Sequence, residues 1–144
     1  MKIITPKIST SQPIPYFESF VHAGFPSPAE GYSNKKLDLN EYIIKHPHST
    51  FFVKVEGDSM KGSGIYSGDI VVVDRILDAK HNHIVLAVID GEFTLKRLSI
   101  TQLKNGQQQI TLFPENSNYQ PINIVESMDF QIWGVVTFTI HQSF

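Results

Sequence analysis

From residue 50 onward, apolar and β-branched residues occur in short runs that are separated by turn residues. Such runs are typical of strands, and Gly, Asp-Gly and Asn-Gly between them are typical of tight turns. The predicted strands span residues 50–55, 70–73, 84–89, 92–98, 109–113 and 132–140. Asp90-Gly91 joins two of these runs directly and is a strong hairpin signal. The pattern therefore predicts a mainly β fold.

One segment before residue 50 has helical spacing. Its apolar residues share one helix face and are Leu39, Tyr42 and Ile43. Asp38 can cap the first turn, and Glu41 lies three residues later, as in a capping box. Pro47 cannot continue a helix. We therefore predict a helix over residues 38–46.

The first 34 residues have a different composition. They contain five of the eight prolines, which exclude a long helix or a central strand. They are also richer in isoleucine and aromatic residues than a disordered tail. We expect an extended arm over residues 1–34 that docks on its own chain or on a partner subunit, and a compact β-rich domain over residues 35–144. A short helix over residues 16–21 is an open alternative within the arm.

Composition and charge narrow the class of protein. Twelve basic and fourteen acidic residues give a formal net charge of −2, so there is no global electrostatic drive toward nucleic acid. Cysteine is absent, which excludes disulfides and thiolate chemistry. The N-terminus lacks the apolar run of a signal peptide, and no segment approaches the ~20 apolar residues of a membrane span. We expect a cytoplasmic protein that has no membrane association.

Ser59 and Lys96 are the candidate catalytic pair. Ser59 lies in the turn-rich segment Gly57-Asp58-Ser59-Met60, and Lys96 lies in an apolar predicted strand. A serine hydroxyl needs a base to become a nucleophile, and a lysine can be that base only when it is neutral. Burial among apolar residues favours neutral lysine. The pattern is consistent with a serine–lysine dyad.

A small-residue junction lies in the arm. Ala23-Gly24 has little side-chain bulk, and Pro26 biases Phe25 toward extended backbone. Such a segment fits a narrow cleft as a peptide substrate. Its composition is equally typical of a flexible linker.

Other motifs give weaker signals. A Gly-x-Ser-x-Gly elbow would need glycine at position 61, where Lys61 stands, although catalytic triads on other folds lack the elbow. His81 and His83 could present two imidazoles to a metal ion, but no further ligands complete a zinc set, so we interpret this segment as a solvated turn and expect no metal. The glycine-rich segment 62–68 lacks the Gly-Lys-Ser/Thr ending of a phosphate loop.

The combination of these elements resembles the LexA/UmuD family of self-cleaving serine–lysine peptidases, and is most similar to its UmuD-like members. The resemblance extends from about residue 17 to about residue 136. The segments that carry it are 24–29 (GFPSPA), 46–47 (HP), 52–54 (FVK), 57–60 (GDSM) and 90–94 (DGEFT).

The resemblance implies a mainly β catalytic domain of the LexA/UmuD/signal-peptidase-like type with an N-terminal arm, and no cofactor. It also implies that Ser59 attacks the carbonyl of Ala23, while Lys96 accepts the proton and delivers it to the amide of Gly24. Backbone amides of the loop formed by Gly57, Asp58, Ser59 and Met60 would hold the oxyanion. Ala23 stands where some UmuD proteins have cysteine, which keeps a small residue at the junction.

The resemblance also implies partners. UmuD-like proteins cut themselves when stimulated by a RecA filament on single-stranded DNA, as part of the DNA-damage (SOS) response. The trimmed form, as a homodimer, joins a UmuC-like polymerase in error-prone translesion synthesis. The chain shows no preceding helix-turn-helix domain, which argues against a repressor of this family. We also expect no direct sequence-specific DNA binding.

Two other function classes stay open at this point. The chain could be a non-catalytic binding module of the same fold that regulates a polymerase through its surfaces. A conventional hydrolase that acts on other substrates is a third interpretation, which the presence of a target junction in the arm argues against.

Overall fold

The computed structural model describes residues 2–4, 11–16, 23–24 and 35–144. It contains two compact units. The larger unit comprises Met1–Pro6 and His46–Phe144, and the smaller unit comprises Lys7–Lys45. The predicted division into an arm over 1–34 and a domain over 35–144 stays a prediction.

The larger unit is built on one eight-stranded sheet in which neighbouring strands run antiparallel. In the order in which they lie side by side, its strands are β1 (Lys2–Ile4), β4 (Thr50–Lys54), β5 (Ile70–Asp74), β10 (Phe130–Ile140), β6 (Ile84–Ile89), β7 (Glu92–Gln102), β8 (Gln108–Phe113) and β9 (Ile122–Asn123). A 3-10 helix, Lys61–Ser63, follows β4. The predicted mainly β class is confirmed.

All six strands predicted from the apolar runs are present, with modest changes at their ends. The hairpin at Asp90-Gly91 joins β6 to β7, and both turn residues have positive φ, 50° and 82°. Two positive φ values in succession are the signature of a type I′ turn, which matches the twist of the paired strands. β7 continues four residues past the predicted end, to Gln102, because it pairs with β8 as far as Gln108. β1 and β9 were not predicted, because strands of three and two residues are too short to show an alternation of apolar and polar residues.

The larger unit contains two groups of buried apolar side chains. One group includes residues of the segment that follows β4, and its members are Val53, Val55, Met60, Ile65, Val71, Val73, Leu86 and Leu95. The other group lies on strands β6, β7, β8 and β10, and its members are Val85, Ala87, Leu98, Leu112 and Val135. Because Met60 belongs to the first group, the segment that carries Ser59 is tied to the core by its next residue.

The smaller unit contains β2 (Pro13–Pro15) paired antiparallel with β3 (Lys36–Asp38), and the helix α1 (Leu39–Ile43). Asp38 caps α1 as predicted, since its Oδ1 accepts the N–H of Asn40 at 3.2 Å. The predicted extension of the helix to residue 46 is wrong, because Ile44 already has extended backbone with φ −109° and ψ 92°. Successive β-branched side chains disfavour helix at this end.

Residues 17–21 of the suggested short helix lie outside the described residues, as do the flanks of the Ala23-Gly24 junction. Within the described ranges, the helices are all too short or too polar to cross a membrane.

Candidate active site

Ser59 lies in the loop between β4 and the 3-10 helix, and backbone contacts with Glu115 hold this loop. The Glu115 N–H donates to the Ser59 carbonyl at 2.7 Å, and the Gly62 N–H donates to the Glu115 carbonyl at 2.7 Å. A Cβ at position 62 would lie 2.5 Å from that carbonyl oxygen, closer than van der Waals contact allows. Glycine at position 62 is therefore what lets the Ser59 loop approach the chain at Glu115.

Two residues that follow Glu115 contact Asp58, the residue before Ser59. Its carboxylate accepts the hydroxyl hydrogen of Tyr119 at 2.6 Å. Its carbonyl oxygen accepts a hydrogen bond from the Asn116 amide at 3.0 Å. The segment 115–119 therefore braces the residue immediately before the candidate nucleophile. The Asp58 carboxylate also raises the pKa of Tyr119, because its hydrogen bond and negative charge favour the neutral phenol.

Arg97 supports this brace from β7. Its Nε is paired with the Glu115 carboxylate. Its Nη2 donates to Ser63 Oγ at 3.0 Å, and its Nη1 donates to the Asn82 carbonyl at 2.7 Å. The Arg97 guanidinium therefore connects the segment 115–119, the 3-10 helix and the turn before β6, and Arg97 is the residue next to Lys96.

Lys96 is buried on β7, with 8% of its surface exposed. Its Nζ lies 3.2 Å from Ser59 Oγ, 2.9 Å from Thr94 Oγ1 and 3.0 Å from the Leu95 carbonyl oxygen. Leu95 is itself almost completely buried. Burial disfavours the charged ammonium and lowers the pKa of Lys96.

The three contacts of Lys96 fit a neutral amine. A neutral amine has two N–H donors and one lone pair. Thr94 Oγ1 and the Leu95 carbonyl can take the two donors, which leaves the lone pair for the hydroxyl hydrogen of Ser59. The arrangement is therefore able to remove a proton from Ser59 without a histidine.

The dyad opens into a cleft of about 230 Å³. Residues of the loop form one wall, and residues 93–96 of β7 form the other, with Tyr119 at the border. Among the residues that the structure describes, the backbone amides of Asp58, Ser59 and Met60 donate to no acceptor, whereas the Gly57 amide donates to Ser67 Oγ at 3.2 Å. Free amides beside a nucleophile are what an oxyanion needs.

The other residues singled out in the sequence have separate positions. Met60 is buried in the core and supports the loop by packing. Ala23 and Gly24 lie in the smaller unit, where both are exposed in a bend. The role of this pair as a cleavage junction stays a prediction.

The contacts of the histidines are relevant to two alternatives, a metal site and a serine–histidine–aspartate triad. His81 Nδ1 and His83 Nδ1 each accept a backbone N–H, from Ile100 at 3.0 Å and Lys80 at 3.1 Å. His46 and Ser49 both contact Asp74, at 2.5 Å and 2.9 Å. A catalytic triad needs histidine between serine and carboxylate, whereas here the carboxylate lies in the middle.

Sequence reasoning missed several supporting residues. For Thr94 the sequence predicted the position, two residues before Lys96 on the same strand face, but not its hydrogen bond to the amine. Glu115, Asn116 and Tyr119 gave no signal, since they follow the last predicted hairpin in a segment that sequence alone assigns to a loop.

The sequence matches the Peptidase S24-like family over residues 15–137. It is 41% identical over 129 residues to protein MucA of Salmonella typhimurium, covering 88% of this chain and 84% of that protein. It is 47% identical to protein SamA of Salmonella typhimurium strain LT2, covering 90% of this chain and 86% of that protein. It is 43% identical to protein ImpA of Escherichia coli, covering 90% and 84%.

Proposed function

Since the chain belongs to the Peptidase S24-like family, as a UmuD-like member of its LexA/UmuD group, we propose that it cuts its own backbone between Ala23 and Gly24. The observation that carries this proposal is the 3.2 Å contact between Lys96 Nζ and Ser59 Oγ at a buried position. A lysine that is both desolvated and aimed at a serine hydroxyl has the chemistry of a general base.

In the proposed first step, Ser59 Oγ attacks the carbonyl carbon of Ala23 and its proton passes to Lys96 Nζ. The carbonyl oxygen becomes an oxyanion, which the free amides of the Asp58–Met60 segment would hold. Lys96 then donates the proton to the nitrogen of Gly24 as the peptide bond breaks. This leaves an acyl ester on Ser59 and a new N-terminus at Gly24.

In the proposed second step, neutral Lys96 removes a proton from water, and the resulting hydroxide adds to the acyl carbon. Collapse of this intermediate returns the proton to Ser59 Oγ and releases residues 1–23. Thr94 and the Leu95 carbonyl keep the amine oriented through both steps, because they hold its N–H groups while the lone pair faces Ser59.

The LexA/UmuD resemblance extends the proposal to partners. The cut would be stimulated in the cytoplasm by a RecA filament on single-stranded DNA, as part of the SOS response. The product, residues 24–144, would be a homodimer that joins a UmuC-like polymerase for translesion synthesis. Sedimentation of the cleaved protein tests the dimer, and a monomer at tens of micromolar would contradict it.

The decisive test of the peptidase is intact mass after incubation at mildly alkaline pH, with and without a RecA filament. We expect fragments 1–23 and 24–144 from the wild type and none from Ser59→Ala. The matched control is Ser127→Ala, because Ser127 is an exposed serine outside both the dyad and the segment 115–119. A fragment that begins at Gly24 in the Ser59→Ala protein would contradict the assignment. Absence of cleavage in the wild type with the filament would favour a non-catalytic binding module.

A further inference from the structure

The strand β1 lies at one end of the eight-stranded sheet and pairs with β4. We propose that removal of residues 1–23 opens this edge of β4, here called the β4 edge (Thr50–Lys54), as a docking site for an extended apolar peptide of a partner protein. The partner would join the sheet by antiparallel strand addition. This inference rests on the proposed cleavage between Ala23 and Gly24.

The pairing of β1 shows what the β4 edge accepts. Ile3 lies opposite Val53, and Ile4 lies opposite Phe52. Val53 is completely buried, whereas Ile3 is 38% exposed. β1 therefore places a β-branched aliphatic residue in register with a buried part of the sheet while remaining reachable from solvent. An incoming strand needs an aliphatic residue at the same position.

Cleavage would remove this cover for a physical reason. β1 belongs to the fragment 1–23, and it contributes three residue pairs to the sheet. In the intact chain the covalent connection keeps β1 at a high effective concentration next to β4, and the cut removes that connection. The freed fragment is then held only by the three residue pairs of β1 with β4 and the three of β2 with β3, so it dissociates on dilution, whereas a peptide or a partner strand present in excess can occupy the edge. Its loss leaves a row of unpaired backbone N–H and C=O groups, which is a template for another strand.

A short peptide of a partner fits this edge better than a second copy of the chain does. β4 has five residues, and β1 covers three of them. Edge pairing over so short a strand buries far less than the ~1,200 Å² of a stable protein–protein interface, whereas peptide recognition by strand addition needs only a short strand. Lys54 is exposed at the end of the edge, so an acidic residue opposite it would add a favourable cross-strand pair.

The position of the edge connects docking to processing. β4 leads into the loop that carries Ser59. The proposed cut by Ser59 would therefore free the edge of the strand that precedes this loop. A partner that recognises the β4 edge would therefore bind the processed chain and ignore the unprocessed one.

The inference can be tested without cleavage, in the full-length chain that carries Ser59→Ala. Ile3→Pro in this background removes a backbone donor from β1 and should open the edge. The matched control is Ile3→Val, which keeps a β-branched aliphatic residue. The probe is a fluorescent synthetic peptide of residues 1–7, and its binding is measured by anisotropy. A second opening variant, Ile3→Asp, places a charge against buried Val53, and thermal melting verifies that each variant is folded.

We expect the peptide to bind the Ile3→Pro and Ile3→Asp proteins at least about tenfold more tightly than the Ile3→Val protein, because a covered edge is available only for a fraction of the time. A peptide that carries Lys2→Glu should bind up to about fivefold more tightly, since register places residue 2 opposite Lys54. Equal binding to all variants, or no binding to either opened variant, would overturn the inference. Self-association of the opened variants without peptide binding would overturn it in favour of a second copy. None of these outcomes depends on whether Ser59 is the nucleophile.

Discussion

The two members of the candidate dyad are held by contacts of different range. Lys96 contacts Thr94 and Leu95, which lie two and one residues away on the same strand. The Ser59 loop is held through Asp58, whose partners Asn116 and Tyr119 lie 58 and 61 positions along the chain. The base is thus positioned by local strand geometry, and the nucleophile by a distant segment folded against its loop.

This difference predicts two kinds of mutational effect. A change near Lys96 alters the pKa of its amine and the orientation of the amine toward Ser59, so it should alter the pH dependence of cleavage. A change in the brace formed by residues 115–119 acts on where Ser59 lies, so it should lower the rate while leaving the pH midpoint in place. Substitutions at Lys96 and Thr94 test the base, and substitutions at Gly62 and Tyr119 test the contacts that hold the Ser59 loop.

The largest effect is expected for Lys96→Arg. Guanidinium stays protonated at all accessible pH values, so the variant should lose cleavage by at least about 100-fold. In the wild type, the rate should rise with pH through the lowered pKa of Lys96 and then level off, because the proposed base is the neutral amine. Intact mass at intervals between pH 6 and 10 gives both results. An active arginine variant, or a flat wild-type profile, would refute the role of Lys96.

The lowered pKa of Lys96 also makes the folding stability depend on pH. Between the lowered pKa and the ordinary value near ~10.4, the unfolded chain binds more protons at Lys96 than the folded chain, so its contribution makes stability rise with pH in that window. Lys96→Met keeps a long side chain without an amine. This control should be inactive and should melt at a higher temperature than the wild type at neutral pH.

The next effect is expected for Gly62→Ala, on the nucleophile side. The added Cβ would meet the Glu115 carbonyl oxygen at 2.5 Å, so the loop must move away from its brace. We expect a loss of about 1–3 kcal/mol of folding stability and a drop in rate of about tenfold or more, with an unchanged pH midpoint. Lys61→Ala at the exposed neighbouring position is the control and should retain the wild-type rate. A shifted midpoint would show that the loop and the base are not independent.

A smaller effect is expected for Thr94→Val, on the side of the base. The substitution removes the oxygen that accepts a hydrogen bond from Lys96 Nζ. That acceptor stabilises ammonium more than amine, so its loss should move the pH midpoint to lower values. The plateau rate should fall by about tenfold because the amine loses one of its orienting partners. Thr94→Ser keeps the oxygen and should restore both. An unchanged plateau rate in Thr94→Val would count against a positioning role, and an unmoved midpoint would count against the effect of this hydrogen bond on the pKa of Lys96.

The smallest effect is expected for Tyr119→Phe. It removes the hydroxyl that donates to the Asp58 carboxylate but leaves the Asn116 and Glu115 contacts of the loop. We expect a decrease in rate of less than about tenfold, because an exposed hydrogen bond contributes little by itself. The pH midpoint should not move. Complete loss of cleavage would mean that Tyr119 acts on the substrate rather than on the loop.

Much of the sheet could be predicted because its strands are long enough to show their composition. Six apolar runs and the Asp90-Gly91 turn gave β4 to β8 and β10. The C-terminal part of the helix could not be predicted correctly, because extended backbone at Ile44 overrides the helical spacing that precedes it. β1 and β9 could not be predicted either, since so short a strand exists only where a neighbouring strand offers its edge.

The sequence by itself determined the elements of the candidate site that depend on residue type and local order. A serine in a tight loop, a lysine in an apolar strand and Thr94 two residues before it are properties of short segments. The tertiary structure alone decided that Ser59 lies within reach of Lys96, that residues 115–119 hold the loop, and that β1 covers the β4 edge. These facts depend on contacts between segments many residues apart, and such contacts follow from how the whole core packs rather than from any local pattern.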